Sequence, residues 1–208
     1  QEDEMKITGM NIEKVQIPLK EPFKVAFTTV SYLESVLIQV STDNGCIGFG
    51  EAAPFAPVTG ETVDGVIAVL ELFKTGLLGM DPMDIEAVHA MMDGVIVGNG
   101  AAKCAVDLAM YDLMGKSMGL PVYKLLGGYS NVVHNDITIG ISSPQSMAAE
   151  AKRLVETEGY HILKIKAGIN YKDDILAMKL IREAGHPPSG RCQPGLQRIR
   201  CGLCPGRF

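Results

Sequence analysis

Two lysines stand one residue apart in the segment HILKIKAG, at Lys164 and Lys166. In an extended strand, residues two apart share a face. Ile162, Lys164 and Lys166 therefore point one way, and Leu163, Ile165 and Ala167 the other. The apolar set suits packing under helices. The other set brings two ammonium groups side by side. Like charges held close depress each other's pKa. A lysine tuned in this way can be neutral near pH 7 and act as a base, while its neighbour stays cationic and holds a carboxylate. Short K-x-K matches are common, and two solvated lysines on an exposed strand face are the alternative reading of the pair.

The surrounding elements decide what such a pair can face. HNDITIGIS reads as a strand, and SPQSMAAEAKRLVETEGY as a helix capped by Ser143 with Pro144 at its first position. HILKIKAG is the next strand and YKDDILAMKLIREAG the next helix. Strands alternating with helices predict a parallel α/β arrangement. In parallel barrels the active site lies at the C-terminal ends of the strands, which is the end that carries Lys166. The N-terminal part has a different pattern. MKITGMNIEKVQIPL and SVLIQVSTDNGCIGFGEAAP alternate apolar and polar residues and read as strands, with a hairpin turn at Asn44-Gly45 and a loop bounded by Pro18 and Pro22. Three helices follow. The first is capped by Thr62 or Thr59, and the second opens with Asp81 as cap and Pro82 in its first turn. The third carries a small-residue face at Ala101, Ala105 and Ala109 and ends at Gly115 or Gly119. The predicted fold class is α/β: an N-terminal α+β domain over residues 5–128, then a βαβα run over 129–184.

Composition narrows the function. The chain has 208 residues, 47% hydrophobic, with a net charge of −5, so no general affinity for nucleic acid or anionic membrane is expected. No apolar run approaches the roughly 18 residues of a membrane span, and QEDEMKITGM lacks the apolar centre of a signal peptide. A soluble cytoplasmic protein is expected, acting on a small molecule, with homo-oligomers open. Cys46 and Cys104 sit in apolar patterns that suit reduced core thiols. The averages hide a break. Residues 1–184 carry all 24 acidic residues and only two of the arginines, whereas 185–208 hold four arginines, no lysine, four of the 11 prolines and three of the five cysteines.

FGEAAPFAPVTGET, AVDLAMYDLMGKSMGLPVYKLLGG and LKIKAG occur in this order along the chain. Together they resemble the enolase superfamily, in its muconate-lactonizing subgroup, and within it the dipeptide epimerases. The resemblance covers roughly residues 5–184. It implies that the α+β domain is a capping domain and that the βαβα run is the first two units of a TIM-like (β/α) barrel. It implies a Mg²⁺-dependent exchange of the proton α to a carboxylate, with a dipeptide such as L-Ala-Glu as substrate. An enediolate formed in that exchange carries charge that a divalent cation must stabilise. In the resemblance Lys166 is the acid/base and Lys164 neighbours the substrate carboxylate. The segments Lys20 to Thr29, with Phe23 and Lys24 as substrate contacts, and Pro54 to Thr59 would select the substrate side chain. Thr138 is a further candidate, and Glu51 would be structural. Muconate cycloisomerase, o-succinylbenzoate synthase and N-acylamino-acid racemase are related alternatives, and a non-catalytic product or interaction module is an alternative of another class.

In the resemblance the Mg²⁺ ligands are carboxylates on later barrel strands, the first of which should follow YKDDILAMKLIREAG. The chain gives HPPSGRCQPGLQRIRCGLCPGRF instead, so no metal ligand is assigned, and the barrel is expected to be incomplete and the chain as written inactive. Synonymous codons for Gly185 to Arg198, read one nucleotide later, spell DIRLRVDANQGYN. We therefore expect a frameshift near Gly185, with 185–208 an out-of-frame tail; the nucleotide sequence around codon 185 checks this, and a frame without a slip would overturn it. A zinc site from Cys192, Cys201, Cys204 and His186 is the rival reading. An incomplete barrel would leave HILKIKAG with an open edge, prone to association.

Overall fold

The computed structural model describes residues 5–25 and 28–184, with the side chains of 21, 24, 25 and 28 left aside. The order of elements is β1 (Ile7–Val25), β2 (Thr28–Thr42), β3 (Ile47–Ala52), α1 (Ala56–Thr59), α2 (Val63–Leu77), α3 (Ile85–Val95), α4 (Gly100–Met118), α5 (Val122–Leu125), β4 (Ile137–Ile139), α6 (Pro144–Glu158), β5 (Leu163–Ile165) and α7 (Tyr171–Glu183). The described residues divide into two compact units, one of residues 5–18 and 32–132, the other of 19–25, 28–31 and 133–184. The class is the expected one: an α+β portion followed by a short βαβα segment with parallel strands.

The three-stranded sheet runs β1-β2-β3, and β2 pairs antiparallel with β3 from Val36 opposite Ala52 to Ser41 opposite Ile47. The turn between them is the predicted one. Gly45 has φ of 82° and donates its N–H to Thr42 O at 3.1 Å, a conformation that only a residue without Cβ takes without strain. Val36, Ile38 and Val40 alternate into the core, where they meet Val66, Leu70, Phe73 and Leu77 of α2, Val88 and Met92 of α3, and Val106, Met110 and Leu113 of α4. Thr62 caps α2 by accepting from Gly65 N–H at 3.2 Å.

The small-residue face of α4 has a specific partner. Ala105 and Ala109 are fully buried, and β3 presents Gly48 and Gly50 to them. A Cβ on Gly50 would lie 1.9 Å from the Ala105 carbonyl oxygen, and one on Gly48 would lie 2.4 Å from that of Ala109. The strand and the helix backbone are thus nearly in contact. Polar groups fasten the same approach: Phe49 donates its N–H to Asp112 Oδ2 at 2.8 Å, and Lys116 Nζ donates to Ile47 O at 2.7 Å and pairs with Asp112. Lys116 Nζ also lies 4.7 Å from the centre of the Phe49 ring.

Several sequence expectations change, among them the core thiol at Cys104, which is exposed. The loop between Pro18 and Pro22 is instead part of β1, which runs unbroken over 19 residues; proline removes one donor but keeps φ in the extended range, so a strand can pass through it. Asp81 caps a turn rather than a helix, accepting from Met83 N–H at 2.8 Å, and α3 starts only at Ile85. Of the two glycines offered as the end of α4, Gly119 takes the role with φ of 64°, while Gly115 is buried inside the helix.

In the second unit β4 and β5 pair in parallel, joined through α6, and α7 follows β5. Ser143 caps α6, accepting from Ser146 N–H at 3.2 Å. Ile139 and Leu163 from the strands, Met147, Ala151 and Leu154 from α6, and Ala177 and Ile181 from α7 form one core, with Ile137 and Ile165 packed at its margin. No helix among the described residues is long and apolar enough to cross a membrane.

Candidate active site

The parallel ladder sets Ile137 beside Leu163, Thr138 beside Lys164 and Ile139 beside Ile165. Ile139 and Leu163 face the helices. Alternation along each strand therefore turns Thr138 and Lys164 to the opposite face. Thr138 and Lys164 are neighbours across the ladder and both half-buried. Lys166 lies one residue past the end of β5, half-buried, and donates its backbone N–H to Ile139 O at 3.1 Å. The pairing direction of the sheet thus continues through Lys166, at the C-terminal end of the parallel strands.

The loop that follows is tied down. Gly168 has φ of 117°, in the region that favours glycine, and donates its N–H to Asp174 Oδ2 in the first turn of α7 at 3.0 Å. Asn170 caps α7, accepting from Lys172 N–H at 3.0 Å and donating its own amide to Asp173 Oδ2 at 2.8 Å. Sequence reasoning missed Asp174. Its only trace there is an acidic residue six positions after the glycine that ends the K-x-K strand.

Burial, and then the positive charge of Lys164, hold the Lys166 amine below the usual lysine range. Such an amine has a larger neutral fraction near neutral pH than an exposed lysine, which is the property a base requires.

Phe23 is half-buried on β1, in the part of that strand that belongs to the second unit. Lys24 lies on β1 as well, and its side chain is outside what the structure describes. The segment Pro54 to Thr59 contains the short helix α1, with Val58 exposed. Glu51 stands on the exposed face of β3. Cys192, Cys201, Cys204 and His186 lie outside the described residues. Among the described residues no three His, Cys, Asp or Glu side chains come together to hold a metal ion.

Residues 7–127 match the model of the mandelate racemase / muconate lactonizing enzyme N-terminal domain. The chain is 42% identical over 180 residues to the hydrophobic dipeptide epimerase of Enterococcus faecalis, covering 86% of this chain and 51% of that one. It is 43% identical over 181 residues to the L-Ala-D/L-Glu epimerase of Clostridium acetobutylicum, covering 86% and 50%. The crystal structure of the Enterococcus faecalis dipeptide epimerase complexed with Mg and the dipeptide L-Leu-L-Tyr superposes with a TM-score of 0.84, over 86% of this chain and 50% of that one. The chain thus spans about half the length of the curated relatives it matches.

Proposed function

For a chain that belongs to the mandelate racemase / muconate lactonizing enzyme family, we propose a part in exchanging the proton α to a carboxylate, on a dipeptide such as L-Ala-L-Glu. The observation that carries this reading is the position of Lys166: half-buried, beside Lys164, at the C-terminal end of a parallel strand pair. Names of relatives support the same class, since proteins 42% and 43% identical are a hydrophobic dipeptide epimerase and an L-Ala-D/L-Glu epimerase.

In this reading the neutral Lys166 amine takes the α-proton from one face of the substrate and returns a proton to the same carbon. Lys164 neighbours the substrate carboxylate, with Thr138 alongside it and Phe23 against the substrate side chain. Lys24 is the proposed partner for an acidic side chain on the substrate. Mg²⁺ belongs to the proposal as the ion of the related enzymes. The described residues offer it no ligand cluster, and residues 185–208 contain no Asp or Glu. We therefore assign this chain the lysine side of the reaction and expect the 208-residue protein alone to give no turnover.

A chimera tests the reading. Residues 1–184 are joined to the half of the Enterococcus faecalis relative that this chain does not match. The chimera is incubated in D₂O with Mg²⁺ and L-Ala-L-Glu, and loss of the Glu α-proton is followed by NMR. Exchange is expected with the chimera and not with the 208-residue chain. A folded chimera that exchanges neither this dipeptide nor L-Leu-L-Tyr would sink the reading.

The role of Lys164 gives a separate prediction. Removing its charge in Lys164→Met leaves the burial of Lys166 in place but deletes the second cause of its lowered pKa. The Lys166 pKa then rises, less neutral amine is present at pH 7, and the alkaline-going limb of the chimera's pH–rate profile moves to higher pH. We expect the rate at pH 7 to fall about tenfold and to recover partly at higher pH. An unmoved inflection would remove Lys164 from the tuning of Lys166.

A further inference from the structure

The backbone around Lys166 is held at two points that lie two residues apart. Its own N–H donates to Ile139 O at 3.1 Å, and the N–H of Gly168 donates to Asp174 Oδ2 at 3.0 Å. The first pin ties Lys166 to β4 and the second ties its loop to α7. Only the second uses a side chain, so only it can be removed by a substitution without altering the sheet. Asp174 is itself fixed, because its N–H donates to Asn170 O at 2.9 Å in the capped first turn of α7. One turn further on, Ala177 is buried in the core that also takes Leu163. The carboxylate therefore reaches the loop from a rigid base.

The loop needs that support. Gly168 adopts a positive φ of 117°, and an unanchored glycine has many other conformations of similar energy. A hydrogen bond to an ionised acceptor is among the stronger kinds. We propose that Asp174 is the positioning residue for Lys166: by holding Gly168 it fixes the direction in which the Lys166 side chain leaves the strand and keeps its amine beside Lys164 in partly desolvated surroundings. This deepens the proposed function, since it names what holds the base of that same reaction. Asp174 does not touch the substrate in this account and acts through Lys166.

The test reads the lysine directly and needs no turnover. The whole 208-residue chain is acetylated with trace acetic anhydride across a pH series, and each lysine's labelling rate is read by mass spectrometry. Asp174→Ala removes the acceptor, whereas Asp174→Asn keeps an oxygen that can accept from Gly168. In Asp174→Ala the Lys166 amine becomes better solvated and moves away from Lys164. Its labelling at pH 8 should slow about threefold, and its pH midpoint should rise. Asp174→Asn, which keeps a weaker neutral acceptor, should lie much nearer the wild type than Asp174→Ala does. Lys103, in the other unit and paired with Asp93 at 2.6 Å, is the internal reference and should not change.

Unchanged Lys166 labelling in Asp174→Ala would overturn the proposal, as would an Asp174→Asn protein that behaves like Asp174→Ala. A parallel change at Lys103 would overturn it too, because the effect would then belong to the whole fold. The result is separable from the proposed chemistry. A Lys166 that responds to Asp174 while the chimera exchanges no α-proton would leave the positioning intact and remove the reaction.

Discussion

Replacing Lys166 with alanine in the chimera should abolish α-proton exchange, with a loss of about a thousandfold or more. General acid–base catalysis by a positioned side chain contributes roughly 10² to 10⁴ in rate, and no other described group stands where Lys166 does. The neighbouring lysine is not a substitute. Lys164 lies within β5, in register with Thr138, whereas Lys166 lies past the end of the strand. Lys166→Arg is the informative companion. It keeps a cation and most of the volume, but guanidinium does not give up its proton in the accessible pH range. A binding role for Lys166 would leave the arginine protein partly active; a base role leaves it as inactive as the alanine protein. Both are read from the loss of the substrate α-proton signal in D₂O, with KM compared where activity remains. Arginine at the wild-type rate would dismiss Lys166 as the base.

The second large effect concerns folding. Gly50→Ala should cost about 3 kcal/mol, because overpacking a filled contact forces the backbone to move. The obstacle is not a pliable side chain. The new methyl would lie 1.9 Å from the Ala105 carbonyl oxygen and 2.8 Å from its carbon, and Ala105 sits within α4 on a face with the fully buried Ala102, Val106 and Ala109. Either β3 or α4 must retreat, and both carry core residues. Gly9→Ala is the matched control, since a Cβ there meets nothing within 4 Å; its effect should stay within about 0.5 kcal/mol. Urea midpoints at constant slope measure both. Equal midpoints for the two variants would refute the close approach of β3 and α4.

What could be read from the sequence was mostly local. Thr62 and Ser143 cap the helices that follow them, and Gly45 makes its turn, because each acts on backbone groups within three residues. The alternation in HILKIKAG was enough to separate the face of Leu163 from that of Lys164, since a strand has only two faces. Ala105 and Ala109 stood out as a small-residue face, but nothing in the local pattern said that Gly48 and Gly50, more than fifty residues earlier, would be its counterpart. Strand lengths were also hidden. HNDITIGIS and HILKIKAG each contribute only three ladder residues, because the extent of a strand is set by its partner rather than by its own composition. Asp174 escaped for a related reason: its bond to Gly168 joins a loop to a helix, and no periodicity announces it.

The pairing of Asp112 and Lys116 with the backbone of β3 has a consequence for how copies of this protein meet. β3 ends the three-stranded sheet, and the terminal strand of a sheet is ordinarily where a second chain can add on. Here the amide of Phe49 and the carbonyl of Ile47 are already spent on the protein's own helix, with a lysine head lying over the aromatic ring. A newcomer would have to evict an ion pair to reach the middle of this strand. Strand-by-strand growth into fibrils is thus obstructed at this border by two residues one helical turn apart.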